Sequence, residues 1–170
     1  MKRAKFFASV TALTLLVSAS FAPTAMGSTK KSNVKKLTFT ATTVSGEVFN
    51  SRILLGNRPS VLWFWAPWCA ICQNESAAIV AAAKKYEKRV NFIGVGALGN
   101  QPELQEFIDK TGTSTITNID DSSGATWKRF GVVIQPTLIF IDRNGRITSK
   151  IGPSTASALE SRLRTLVARR

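Results

Sequence analysis

The stretch Val61-Leu62-Trp63-Phe64-Trp65-Ala66-Pro67-Trp68-Cys69-Ala70-Ile71-Cys72 constrains this chain more than any other. It opens as an apolar run of β-branched and aromatic residues, the pattern of a strand buried on both faces. Ala66-Pro67-Trp68 then forms a short loop in which proline forbids further sheet pairing. From Cys69 onward the pattern is helical, so Cys69 is expected where a strand ends and a helix begins. Unpaired N–H groups and the positive end of the helix dipole stabilise an anion there. The same placement lowers a cysteine pKa from about 8.5 toward roughly 3.5–7.5, and the thiolate is the form that attacks disulfides. Cys72, one turn further in, is expected to be less exposed and to act as the resolving thiol.

Three plainer accounts of the pair fare worse. A purely structural disulfide would close a four-residue loop, which restrains the unfolded chain little. Half a zinc site would need further ligands, and the chain has no histidine and only these two cysteines, so no metal or other cofactor is expected. Two packed core thiols fit poorly beside the Pro67-Trp68 loop. Dithiol–disulfide chemistry is the reading that remains.

The N-terminus points to export. Lys2, Arg3 and Lys5 form a positive start, Phe6 to Ala22 is apolar, and Ala25-Met26-Gly27 is a small-x-small cleavage site. Residues 1–27 therefore read as a signal peptide; an uncleaved anchor is the alternative, the apolar run being at the lower edge of what spans a bilayer. Exported chains meet an oxidising compartment where disulfides persist. A secreted or envelope-associated location is expected. The formal charge of +13 would suit anionic surfaces such as headgroups or wall polymers. No nucleic-acid motif accompanies it, so no nucleic acid is expected as partner, and a solvated basic surface is the preferred account.

Residues 28–36 read as a basic linker and 37–170 as one domain. Leu37 to Thr42 alternates as a strand, and Ser45-Gly46 turns it into Glu47-Val48-Phe49, a hairpin. Arg52 to Leu55 suggests a short helical turn. The helix after the cysteines is expected from about Ala70 to Arg89, with Cys72, Ser76, Ile79, Ala83, Tyr86 and Val90 inward. Glu75 shares that inner edge, where a buried carboxyl with a raised pKa could pass protons to Cys72; the competing account is a partly exposed first-turn glutamate. Asn91 to Gly96 is a strand, Pro102 to Thr111 a helix stopped by Gly112, and Ile116 to Ile119 a short strand. Ser122 is expected to cap a helix carrying Trp127 and Phe130 and ended by Gly131. Thr137 to Ile141 and Arg146 to Ile151 form a second hairpin. An amphipathic helix with Leu159, Leu163 and Leu166 inward closes the chain. Gly94-x-Gly96-x-x-Gly99, with Asp120 and Asp121 downstream, matches a dinucleotide fingerprint. It begins inside a strand, however, and Asn100-Gln101-Pro102 separates it from the next helix, so it is rejected. The Asn74-Glu75-Ser76 glycosylation sequon lies in the reactive helix and is discounted.

Taken together, the strand, Trp68-Cys69-Ala70-Ile71-Cys72, the helix and a later Gln135-Pro136-Thr137 before a hairpin resemble thioredoxin-fold oxidoreductases. Glu75 and the strand–helix unit inserted before Pro136 resemble the exported TlpA, ResA and DsbE-like branch. Asp120 through Trp127 looks most like secreted actinobacterial DsbE- and DsbF-like proteins. The resemblance implies a mixed central sheet flanked by helices, an N-terminal hairpin and the inserted unit. It implies Cys69 as nucleophile, Cys72 as resolving thiol and Glu75 as proton-transfer group, with Trp68, Gln135 and a cis Pro136 binding substrate. Trp63 stands where thioredoxin keeps a buried aspartate, so a proton relay must use Glu75 or water. Ala70-Ile71 replaces the usual proline-containing dipeptide, and Ala77 a proline common after the glutamate.

The function so implied is disulfide exchange with exported cysteine-containing proteins, as an oxidant, in a monomer recycled by a membrane redox protein. The alternative is a reductant for apocytochrome c maturation. Two rivals from other classes are a redox-inactive surface binding or chaperone module and a thiol peroxidase. The peroxidase pattern Pro-x-x-x-Thr-x-x before the cysteine is absent here.

Overall fold

A computed structural model of the protein describes residues 33–169. The expected signal peptide, 1–27, and residues 28–32 of the expected linker lie outside that range. Seven strands form one sheet: β1 (Thr40–Thr43), β2 (Val48–Asn50), β3 (Ser60–Trp65), β4 (Asn91–Gly96), β5 (Thr117–Asp120), β6 (Thr137–Ile141) and β7 (Ile147–Ile151). Their order across the sheet is β2-β1-β5-β4-β3-β6-β7. β3, β4 and β5 are parallel, while β6, β7, β1 and β2 pair antiparallel to their neighbours. Helices α1 (Ala70–Tyr86), α2 (Gln101–Thr111), α3 (Ala125–Phe130) and α4 (Ala156–Ala168) cover the two faces.

The apolar runs fix which strands are central. Every residue of β3 and β4 is buried, as a parallel pair covered on both sides requires. Alternation along β3 then divides the core into two clusters. Trp63 and Trp65 face α1, α2 and α4, meeting Ile79, Phe107 and Leu163. Leu62 and Phe64 face the other way, onto Leu54, Trp127 and Phe130. Trp65 stacks on Phe107 at 4.2 Å between centroids, which fastens α2 under the end of β3.

The glycine pattern serves this packing. A Cβ on Gly94 would lie 2.0 Å from Asn118 Oδ1, and one on Gly96 would lie 2.7 Å from the Trp65 ring. α2 starts only at Gln101, capped by Asn100 and Glu103 in a reciprocal box. The glycines therefore admit a tryptophan and an asparagine rather than a pyrophosphate.

Several boundaries differ from the sequence reading. α1 ends at Tyr86 rather than Arg89, because the N–H groups of Arg89 and Val90 both turn back to the Tyr86 carbonyl and swing the chain into β4. Residues 33–37 are helical, and β1 begins at Thr40 rather than Leu37; Leu37 is instead buried in the second cluster. Within the expected linker, residues 33–36 are held to the domain. The Asn33 amide donates to the Gly145 carbonyl at 3.1 Å, and Arg129 donates to the Lys35 and Lys36 carbonyls. The cap of α3 is not Ser122. Asp121 reaches over the helix start and its two oxygens accept from the N–H groups of Thr126 and Trp127, each at 2.8 Å. A carboxylate satisfies two orphan donors at once, where a serine hydroxyl reaches one.

Candidate active site

β3 runs straight into the reactive loop. Cys69 is the N-cap of α1, with extended backbone, and its Sγ accepts from the Cys72 N–H at 3.1 Å. The two cysteines are joined as a disulfide with Cα atoms 5.2 Å apart. Cys69 is 6 % exposed and Cys72 is fully buried, so Cys69 is the half of the disulfide that meets solvent. The Cys72 N–H and the helix dipole aim at Sγ of Cys69, and both stabilise a thiolate when the bond opens.

Trp68 is exposed beside the disulfide, and its indole N–H donates to the Leu98 carbonyl at 2.9 Å. Leu98 has φ +61°, a left-handed backbone that non-glycine residues rarely adopt. That twist turns its carbonyl toward Trp68 while its own side chain stays exposed. On the other side, the Gln135–Pro136 peptide is cis. Thr137 is paired with Phe64, which sets Pro136 against the last residues of β3, just before the loop to Cys69. The Pro136 carbonyl accepts from Gly152 N–H at 2.9 Å, tying this bend to the end of β7. Gln135 is half-buried and Pro136 buried. Ile71, between the two cysteines, and Val133 and Ile134, just before the cis peptide, are exposed, Val133 to 88 %, so uncovered apolar side chains rim both the Cys-x-x-Cys turn and the cis bend.

Glu75 lies one turn after Cys72 on the buried edge of α1. It is 6 % exposed, which excludes the solvent-facing account. One carboxylate oxygen accepts from the Trp63 indole N–H at 3.0 Å and the other from the Ser154 N–H at 2.8 Å. Burial pushes its pKa above the ordinary value of 4.5; the bonds from Ser154 and Trp63 and the charge of Lys150 oppose that shift. Trp63 thus holds Glu75 in place through its indole N–H. The role of Trp63 and Ser154 escaped sequence reasoning. The period-2 pattern does put Trp63 on the α1 side, but Ser154 is 79 residues away from Glu75. The rim residues Ile71, Leu98, Val133 and Ile134 were likewise missed; their signal is exposure, which no local pattern carries.

Among the described residues no group of three or more His, Cys, Asp or Glu could hold a metal ion. No helix there is long and apolar enough to cross a membrane.

A mixed sheet, a Cys-x-x-Cys pair at a helix N-terminus and a cis proline beside it define a thioredoxin-fold thiol–disulfide oxidoreductase. The chain belongs to the AhpC/TSA family, whose model matches residues 33–150. Three residues before Cys69, where the peroxidase pattern needs threonine, stands the buried Ala66. The chain is 37 % identical to the soluble secreted antigen MPT53 of Mycobacterium tuberculosis over 124 residues, 72 % of this chain and 69 % of that one. Among solved structures, MTB DsbF in mixed oxidised and reduced forms superposes with a TM-score of 0.74 at 37 % identity. The match covers 77 % of this chain and 96 % of that one. A secreted M. tuberculosis disulfide oxidoreductase homologous to E. coli DsbE gives 0.71 at 32 % identity, covering 78 % and 98 %.

Proposed function

We propose that the protein is an exported oxidant that introduces disulfides into other exported proteins. The observation that carries this reading is the direct N–H to Sγ bond at Cys69 on the first turn of α1. A donor that holds the thiolate stabilises the reduced dithiol, and a stabilised dithiol makes its disulfide a stronger oxidant. Likeness to a secreted disulfide oxidoreductase and a secreted antigen supports the extracytoplasmic location, with residues 1–27 as the targeting segment.

The client's first thiolate attacks Cys69 Sγ; the Cys69–Cys72 bond breaks and Cys72 leaves as a thiolate. Glu75, one turn away, supplies its proton. The client's second thiolate then attacks the client sulfur of the mixed disulfide and releases the Cys69 thiolate. Two electrons have passed from client to protein, and a membrane redox protein must remove them before the next turnover. Trp68 and the apolar rim hold the client segment while the half-buried Gln135 backbone pairs with it as an added strand. A monomer suffices for all of these steps.

The reduction potential of the Cys69–Cys72 pair against a glutathione series tests the direction. A value of about −120 to −180 mV agrees with disulfide donation. A value near about −270 mV or below assigns the protein to the reductive, cytochrome-maturation role.

A further inference from the structure

The protein carries a second surface, away from the rim around Cys69. Lys35 and Lys36 at the start of the described chain converge with Lys128 and Arg129 of α3 on an open depression of about 530 Å³, in which Ala125 is the only other lining residue among the described ones. Lys35, Lys128 and Arg129 are exposed. Two of the cations are fixed by the fold. The Arg129 guanidinium donates to the Lys35 and Lys36 carbonyls and lies 5.2 Å over the Phe39 ring, and Lys36 Nζ lies 5.8 Å over Phe130. Among the described residues the ion pairs join Lys85 and Arg164 to Glu160, so none of the four is neutralised by an acid. Like charges gathered in this way repel unless an anion sits among them.

We propose that this cluster docks the domain on a bilayer surface rich in anionic phospholipid. Three observations favour a headgroup plane over a soluble polyanion. The patch is open and shallow rather than a cleft. Val34, the neighbour of Lys35 on the helical turn at 33–37, is 44 % exposed, so an uncovered apolar side chain accompanies the cations on this segment, as at a membrane interface. The patch also lies where the chain enters the domain, and the preceding sequence adds Lys30 and Lys31 after the apolar run Phe6 to Ala22. Basic groups clustered beside such a run are drawn to anionic leaflets. Asn33 ties this segment to Gly145 in the turn between β6 and β7, which follows Ile141 at the Ser60 end of β3, opposite the loop to Cys69, so docking leaves the disulfide open to clients.

Flotation of the full chain with vesicles tests this. Vesicles of about 30 % phosphatidylglycerol in phosphatidylcholine are compared with pure phosphatidylcholine, at about 0.05 and 0.5 M salt. Lys35→Gln with Lys128→Gln is expected to weaken binding to the anionic vesicles by about fivefold per charge removed, with the reduction potential unchanged. Lys84→Gln with Lys88→Gln removes the same charge from the exposed end of α1 and the turn after it and is expected to have a much smaller effect. Binding that ignores lipid charge, salt and the Lys35/Lys128 change would be insertion of the apolar segment alone and overturns the proposal. Equal losses from both double variants would reduce it to net charge. Retention by a soluble polyphosphate chain without flotation would assign the patch to a polymer instead.

Discussion

Replacing Glu75 by glutamine separates its two duties. Its carboxylate accepts from the Trp63 indole N–H and from the Ser154 N–H, one bond to each oxygen. An amide keeps one oxygen, so Glu75→Gln leaves one buried donor facing an NH₂ group. Losing a hydrogen bond to a charged acceptor costs about 1.5–3 kcal/mol, and removing a buried carboxylate whose charge is disfavoured by desolvation offsets part of this. The pH dependence distinguishes the two. Because the folded pKa is raised above 4.5, the folded state holds the Glu75 proton more tightly than the unfolded chain. The stability this contributes is complete below about pH 4.5 and is lost as pH rises through the folded value. The glutamine variant lacks that slope, so its deficit should be largest near pH 4.5 and shrink toward pH 8. Urea denaturation at both pH values measures it. In turnover, loss of proton transfer to the departing Cys72 thiolate should slow formation of the Cys69 mixed disulfide by about 10²-fold or more, with the later release of the Cys69 thiolate spared. A deficit that does not change with pH, together with an unchanged rate, would refute both the raised pKa and the relay.

Other sites give independent expectations. Glu160 accepts from Lys85, Tyr86 and Arg164 and so joins α1 to α4; its pKa is lowered to about 2, mainly by Lys85 and Arg164. Its stabilisation is present above about pH 4.5 and lost as pH falls toward 2, so Glu160→Gln should lower Tm at pH 7 and leave it unchanged at pH 2. Gly94→Ala sets a methyl 2.0 Å from Asn118 Oδ1 and 2.9 Å from Trp65 Nε1; overpacking of this kind costs about 1–3 kcal/mol, read as a lower denaturant midpoint. Trp68→Ala, at a side chain 62 % exposed, should leave Tm within about 1 °C while kcat/KM for an unfolded client falls about tenfold, as for an aromatic contact worth more than 1 kcal/mol.

What the sequence reveals and conceals follows from the range of the forces involved. β3, β4 and β6 are legible because burial on both faces leaves a continuous apolar run, and Cys69 and Cys72 because their spacing on a helix start is itself the chemistry. Glu75 is legible in place, by its helical spacing from Cys72, but not in environment. Its partners come from β3 and from the turn after β7, and tertiary packing alone brings them together. The capping of α3 by Asp121 instead of Ser122 has the same origin. Either residue can cap, and the bend at the end of β5 decides which one faces the free N–H groups. The helical turn at 33–37 shows no apolar period of its own; burial of Leu37 and the Asn33 and Arg129 bonds hold it.

The account turns on Cys69 as the attacked sulfur and Cys72 as the resolving one, and trapping tests it most directly. Cys72→Ser, incubated with an unfolded protein carrying one disulfide, should accumulate a mixed disulfide on Cys69 that dithiothreitol releases. Cys69→Ser should accumulate none, because the remaining sulfur is fully buried. Adducts at both cysteines, or at neither, would contradict the mechanism.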